Sequence, residues 1–90
     1  MPSSDMQFSA KHTDEWYRAV RAKALRRKRR EIKERCSDIL NDPCNAHNAH
    51  PYRDEYEGYW GAQLDAMTRI MYTIDENEGI VTFCTIVKIH

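Results

Sequence analysis

Ninety residues, 41% apolar and 10% aromatic, bound the molecule to one small domain, 1–90, with a lean core, and no window approaches the roughly 20 apolar residues of a membrane span. Net charge is zero but unevenly spread: Arg18 to Arg35 carries ten basic residues against two acidic ones, while Asp54 to Gly79 carries seven acidic residues against Arg69 alone. Three well-separated cysteines, Cys36, Cys44 and Cys84, exclude a disulfide framework, and the opening "MPSSDMQFSAKH" has neither the basic flank nor the apolar stretch of a secretory signal, so a cytoplasmic protein is expected.

Met6, Phe8 and Ala10 alternate with polar residues and predict a short strand. Thr13 before Asp14 and Glu15 predicts a helix start, because a hydroxyl caps free N–H groups and two acids sit in the positive first turn. Helical sequence continues to Asn41 and stops at "NDPCN", where Pro43 forces Asp42 out of helical geometry. Trp16, Tyr17 and Val20 form one apolar stripe, and Leu25, Ile32, Cys36, Ile39 and Leu40 form another on a different side of the same helical wheel. A straight helix cannot bury both on one sheet, so a break is expected between about Arg21 and Ala24.

After a polar connection over residues 44–54 the period becomes two. Trp60, Ala62 and Leu64 alternate, then Ile70, Tyr72 and Ile74, then Val81, Phe83, Thr85, Val87 and Ile89, with turns at Asp65-Ala66 and "DENEG", where Asn77 and Gly79 can take positive φ. The expected fold is α+β: a small antiparallel sheet in the order β-α-α-β-β-β, with two N-terminal helices packed on one face.

Two features bear on chemistry. In "RAKALRRKRREIKER", Arg26, Arg27, Lys28, Arg29 and Arg30 repel one another unless a polyanion comes near, which favours nucleic acid as a partner. Arg69 sits inside an apolar strand, where burying an unpaired guanidinium costs several kcal/mol. Alternation resolves the conflict by placing Arg69 with Met71 and Thr73 on the face away from the helices. Cys44, His47 and His50 make a C-x2-H-x2-H run without a fourth ligand at matching spacing, so no metal or other cofactor is expected.

Gly58-Tyr59-Trp60, then Arg69-Ile70-Met71-Tyr72, the acidic turn Asp75 to Gly79 and the final strand Ile80 to His90 together resemble the RelE/ParE superfamily of bacterial toxin–antitoxin toxins, in YoeB-, HigB- or RelE-like form. The resemblance covers about 35 residues well and the upstream elements in order and character. It implies a ribosome-dependent mRNA endonuclease that uses the RNA 2′-hydroxyl without a metal. Arg69 is then the catalytic phosphate ligand, His50 the base in the place where YoeB-like members carry a glutamate, and His90 the terminal acid. Arg53, Tyr59, Gln63 and Lys88 join Arg26 to Arg30 as implied RNA contacts, and the implied partners are a cognate antitoxin protein, the ribosome and mRNA. Gly61 and Gln63 stand where many ribonuclease members carry Lys or Arg, and the sequence ends at His90 without the C-terminal helix and tyrosine of RelE itself. A ParE-like DNA gyrase inhibitor without nuclease activity and a catalytically inactive RNA-binding relative therefore stay open.

Overall fold

The structure, a computed structural model, describes residues 7–53 and 56–89. Its elements are β1 (Ser9–His12), α1 (Asp14–Val20), a 3₁₀ segment (Lys23–Lys28), α2 (Arg29–Asn41), a short 3₁₀ turn (Ala46–Asn48), β2 (His50–Pro51), β3 (Trp60–Asp65), β4 (Thr68–Asp75) and β5 (Ile80–Lys88). The strands form one sheet in the order β1-β5-β4-β3-β2. The expected α+β layer is present, but the sheet is mixed where an antiparallel one was expected: the first strand, β1, joins β5 in parallel. The two-residue β2, not expected, extends the sheet beyond β3. A parallel partner needs a long connection, and the chain between β1 and β5 runs through the helical pair and then through β2, β3 and β4. Met6, counted in the expected first strand, lies outside the described residues.

Thr13 begins α1 as its sequence predicts. Its Oγ1 accepts the Trp16 N–H at 3.1 Å and donates to the Cys84 carbonyl at 2.7 Å, so one hydroxyl caps the helix and pins it to β5. The helix ends at Val20, and Ala22 is extended (φ −59, ψ 142), which places the break inside the expected window. The two stripes then reach the same sheet: Trp16 from α1 and Ile32 and Ile39 from α2 join Ala62, Leu64, Ile70, Tyr72, Val81 and Phe83 in one core. Tyr17 does not; it is 48% exposed and packs only its ring against His12.

Alternation holds along β4 and along β3 as far as Leu64, where the pairing slips by one residue before Asp65, and it fails in β5. Met71 pairs with Thr85 and Tyr72 with Phe83, so Cys84 is an extra residue that reverses the facing of everything after it. Val81 and Phe83 face the helices, and Ile86 takes over that role beyond the bulge. Thr85 and Val87, expected beside Phe83, lie instead on the opposite face with Met71 and Arg69. In the "DENEG" turn Gly79 takes positive φ (69°) while Asn77 does not, because the Asp75 carboxylate closes the turn by accepting the Glu78 N–H at 3.0 Å. Among the described residues no helix is long and apolar enough to cross a membrane.

The end of α2 is tied to the centre of the sheet by Tyr72, whose hydroxyl donates to the Pro43 carbonyl at 2.6 Å in the buried interior. Tyr72→Phe removes that donor and leaves a buried carbonyl unpaired. The expected loss is about 1–3 kcal/mol of stability, read as a lower urea midpoint at unchanged slope.

Candidate functional site

The sheet face away from the helices is built from alternate residues of four strands. Strand β4 contributes Arg69, Met71 and Thr73, β5 contributes Thr85 and Val87 beyond its bulge, β3 contributes Gly61 and Gln63, and β2 contributes His50. Arg69 stands opposite Gln63 on one side and Val87 on the other. Its guanidinium is half-buried and is held by main chain: Nη1 donates to the Asp65 carbonyl at 2.9 Å and to the Thr68 carbonyl at 3.1 Å. Among the described residues no carboxylate lies within ion-pair distance of it. Two carbonyls fix its position and leave its full charge, with other donors, facing outward.

Asp65 makes that arrangement possible. Its Oδ1 accepts the Met67 N–H at 2.8 Å, closing the β3–β4 turn, and its Oδ2 meets Lys28 Nζ at 3.0 Å. The Met67 N–H and then the Lys28 ammonium hold its carboxyl down at about 2, against the opposing effect of burial. The same contact raises Lys28. One residue thus binds Arg69 through its carbonyl and the basic 3₁₀ segment through its side chain.

His50 lies across β3 from Arg69 and one residue pair along, a Cα separation of roughly 12 Å at ordinary sheet spacings. Both are long side chains on one face, so a ligand between them is within reach of each. The His50 ring stacks on Tyr52 with centroids 4.8 Å apart and planes 13° apart, and Tyr56 meets Tyr52 edge-on. Gly61 explains how this fits: a Cβ there would run into the Tyr52 ring, 2.9 Å from Cζ and 3.0 Å from Oη. Sequence reasoning named Tyr59, which is half-buried and holds Tyr52 by accepting its N–H at 2.8 Å, and it missed Tyr52 itself. The available signal was a glycine inside a strand, which marks the close approach of another group.

The other sequence-derived residues do not all gather here. Arg26, Arg27, Arg29 and Arg30 are exposed on the helical side, and Lys28 is turned onto Asp65. Lys88 pairs with Thr68, a buried residue on the face opposite Arg69, and it lines grooves with Ala24 and Leu25. Arg53 is exposed in the connection before β3. Gln63 faces outward but accepts an Asn48 amide N–H at 2.9 Å. His90 lies outside the described residues. Cys44, His47 and His50 have separate surroundings: His47 Nε2 meets Asp38 at 2.7 Å, His50 stacks as described, and Cys44 is exposed with a thiol pushed up by partial burial. Among the described residues no group of three His, Cys, Asp or Glu side chains is placed to hold a metal ion. Burial pushes Cys36 up to about 12, so it is a thiol at neutral pH and no nucleophile.

No family model matches this chain, and no curated protein does. Solved structures do. A chain of the RelBE2 toxin–antitoxin complex from Mycobacterium tuberculosis superposes with a TM-score of 0.74 at 18% identity, over 91% of this chain and 98% of that one. The YoeB/ParE toxin from Agrobacterium tumefaciens gives 0.72 at 16% identity, over 91% and 98%. YafQ from E. coli strain BL21(DE3) gives 0.70 at 16% identity, over 91% and 93%. The chain therefore has the fold of the RelE/ParE superfamily toxins, the fold that its sequence resemblance implied.

Two outcomes follow from this geometry. Gly61→Ala forces the Tyr52 ring away and is expected to cost about 1–3 kcal/mol, with most of the loss recovered when Tyr52→Ala is combined with it; a thermodynamic cycle by urea denaturation measures the coupling. The Asp65 carboxyl is depressed in the folded state from its ordinary 3.8 to about 2, so its contribution to stability is complete above pH about 4 and is lost as pH falls through about 2. Asp65→Asn should lower stability at neutral pH and flatten the acid limb of a stability–pH curve over that window.

Proposed function

We propose that this chain is the toxin of a toxin–antitoxin pair and a metal-independent, ribosome-dependent mRNA endonuclease. The observation that carries the reading is Arg69: a half-buried guanidinium on the helix-free sheet face, fixed by two carbonyls and unpaired with any described carboxylate. A fixed, uncompensated fork of N–H donors matches a phosphodiester, and its position before substrate arrives is what makes such a cation effective as negative charge develops.

In the proposed reaction the 2′-oxygen attacks the adjacent phosphorus, the 2′-hydroxyl proton passes to His50, and the P–O bond to the 5′-oxygen breaks. The products are a 2′,3′-cyclic phosphate and a 5′-hydroxyl, the latter protonated by His90. Arg69 neutralises the charge on the non-bridging oxygens. His50 is exposed, reaches the same face and has Nδ1 3.2 Å from the Asn48 carbonyl, a partner that sets Nδ1 as the donor and leaves Nε2 as the proton acceptor. The Tyr52 ring over Gly61 borders the groove, and Tyr59 is a further RNA contact in this proposal. Arg26, Arg27, Arg29 and Arg30, with Lys28 among them anchored to Asp65, give the ribosomal RNA contact, and Arg53, Gln63 and Lys88 are peripheral RNA contacts in this proposal.

The proposed partners are a cognate antitoxin with an acidic segment complementary to the basic helical pair, the ribosome and mRNA. Two of the similar structures, RelBE2 from Mycobacterium tuberculosis and DinJ–YafQ from E. coli, are toxin–antitoxin complexes, which supports the partner class.

Expression of the chain alone should arrest growth, and Arg69→Ala should relieve the arrest by lowering cleavage about 10²- to 10³-fold, the effect of removing one preorganised charge-stabilising donor. Toeprinting on translating ribosomes should show mRNA cuts in the decoding site that the variant lacks. Full toxicity of Arg69→Ala removes the assignment. Arrest without cuts but with inhibited DNA supercoiling replaces it with gyrase poisoning.

A further inference from the structure

A polar pocket of about 180 Å³ opens at the outer edge of β3, lined by Arg35, His47, Asn48, Gln63, Leu64 and Asp65. It exists because β2 is only two residues long: His50 and Pro51 pair with Gly61 and Trp60, and β3 from Gln63 to Asp65 has no strand on that side. The space is closed by α2, through Arg35, and by the turn before β2, through His47 and Asn48.

Both walls hold unusual groups. The Arg35 guanidinium is half-buried; among the described residues its Nη2 reaches one acceptor, the Leu64 carbonyl at 3.5 Å, and its buried Nε has none. No described carboxylate pairs with it. A partly desolvated cation with one weak hydrogen bond is stabilised by an incoming anion. On the opposite wall His47 (φ 51°) and Asn48 (φ 60°) are consecutive non-glycine residues in the left-handed region, costing roughly 1–2 kcal/mol each. Such a pair persists when its surroundings impose it. Here the Asp38 carboxylate holds the His47 ring at 2.7 Å and Gln63 holds the Asn48 amide at 2.9 Å, so both side chains are fixed on the pocket.

The two nearby carboxylates are already engaged, Asp65 by Lys28 and the Met67 N–H, and Asp38 by His47. Arg35 is the charge left over. The pocket also adjoins the Arg69 groove directly, since Gln63 lines it and is the cross-strand partner of Arg69. That continuity favours the anionic backbone proposed for the groove over a separate ligand.

We propose that this pocket is a second phosphate subsite, in which Arg35, with His47 and Asn48 beside it, takes a further phosphodiester of the single-stranded RNA bound at Arg69. It rests on the reading of Arg69 as an RNA ligand and adds the direction of the strand: from the sheet face, over the edge of β3, toward α2. The basic 3₁₀ segment reaches the same edge through the Lys28–Asp65 pair.

The test is binding of a short single-stranded RNA whose riboses are 2′-O-methylated, so that no cleavage intervenes. With the wild-type chain, the side-chain resonances of His47 and Asn48 should shift on titration. Arg35→Gln should weaken binding roughly tenfold and reduce the slope of log affinity against log salt by about 0.7, the value for one phosphate contact on a single strand, while Arg35→Lys keeps most of that slope. Thermal melts followed by circular dichroism establish that each variant is folded, and His47→Gln gives a second, milder perturbation in the same direction. If Arg35→Gln leaves affinity and slope unchanged while Arg69→Ala lowers both, the subsite is overturned and the Arg69 reading survives. If Arg69→Ala also changes nothing, both fall. Shifts of His47 and Asn48 with a glutamate-rich peptide but not with RNA overturn the subsite in favour of a protein partner.

Discussion

Asp65 sits where three demands meet. The β3–β4 turn needs an acceptor for the Met67 N–H, the crowded cations of the helical connection need a counter-charge, and the Arg69 guanidinium needs a fixed seat. Its two carboxylate oxygens meet the first two demands and its carbonyl meets the third. Were Arg69 instead held by a carboxylate, its charge would be neutralised inside the protein and the face around it would offer a phosphate little. A carbonyl seat gives position without neutralisation, and the carboxylate that provides the turn is directed away to Lys28.

The rest of the frame keeps that seat still. Thr13 binds the start of α1 to the β5 bulge, and Tyr72 binds the end of α2 to the middle of β4, so both ends of the helical layer are tied to strands that carry the outward face. The Cys84 bulge works on the other side. By reversing β5 it brings Thr85 and Val87 next to Met71 and Arg69 and leaves Ile86 to the core. The outward face is therefore partly apolar, with one buried methionine beneath it, and its polar groups are few and individually held. Sparse cations in that groove are offset by the dense basic segment around the edge of the sheet, joined to it through the Lys28–Asp65 pair.

Much of this was legible from the chain itself. Period-two alternation located β3 and β4 and put Arg69 on the face opposite Ile70 and Tyr72, because a side chain's facing in a regular strand depends only on parity. Two apolar stripes at incompatible angles revealed the break near Ala22, although no glycine or proline marks it. Thr13, Pro43 and Gly79 act through local backbone geometry, and each did what its residue type dictates.

What escaped depends on partners distant in the chain. Parity in β5 could not be carried past Cys84, since a bulge is set by how β4 pairs with it. Lys88 consequently faces the helices and not the groove. The parallel pairing of β1 with β5, the Tyr52 ring over Gly61, the left-handed pair His47–Asn48 and the unpaired Arg35 all follow from elements that meet only when the sheet is assembled. The sequence by itself determined the order of the two helices and the longer strands, the facing of β4 and the charge asymmetry, since these depend on local periodicity and composition; tertiary structure alone decided which cations are neutralised, because neutralisation depends on distances between residues far apart along the chain.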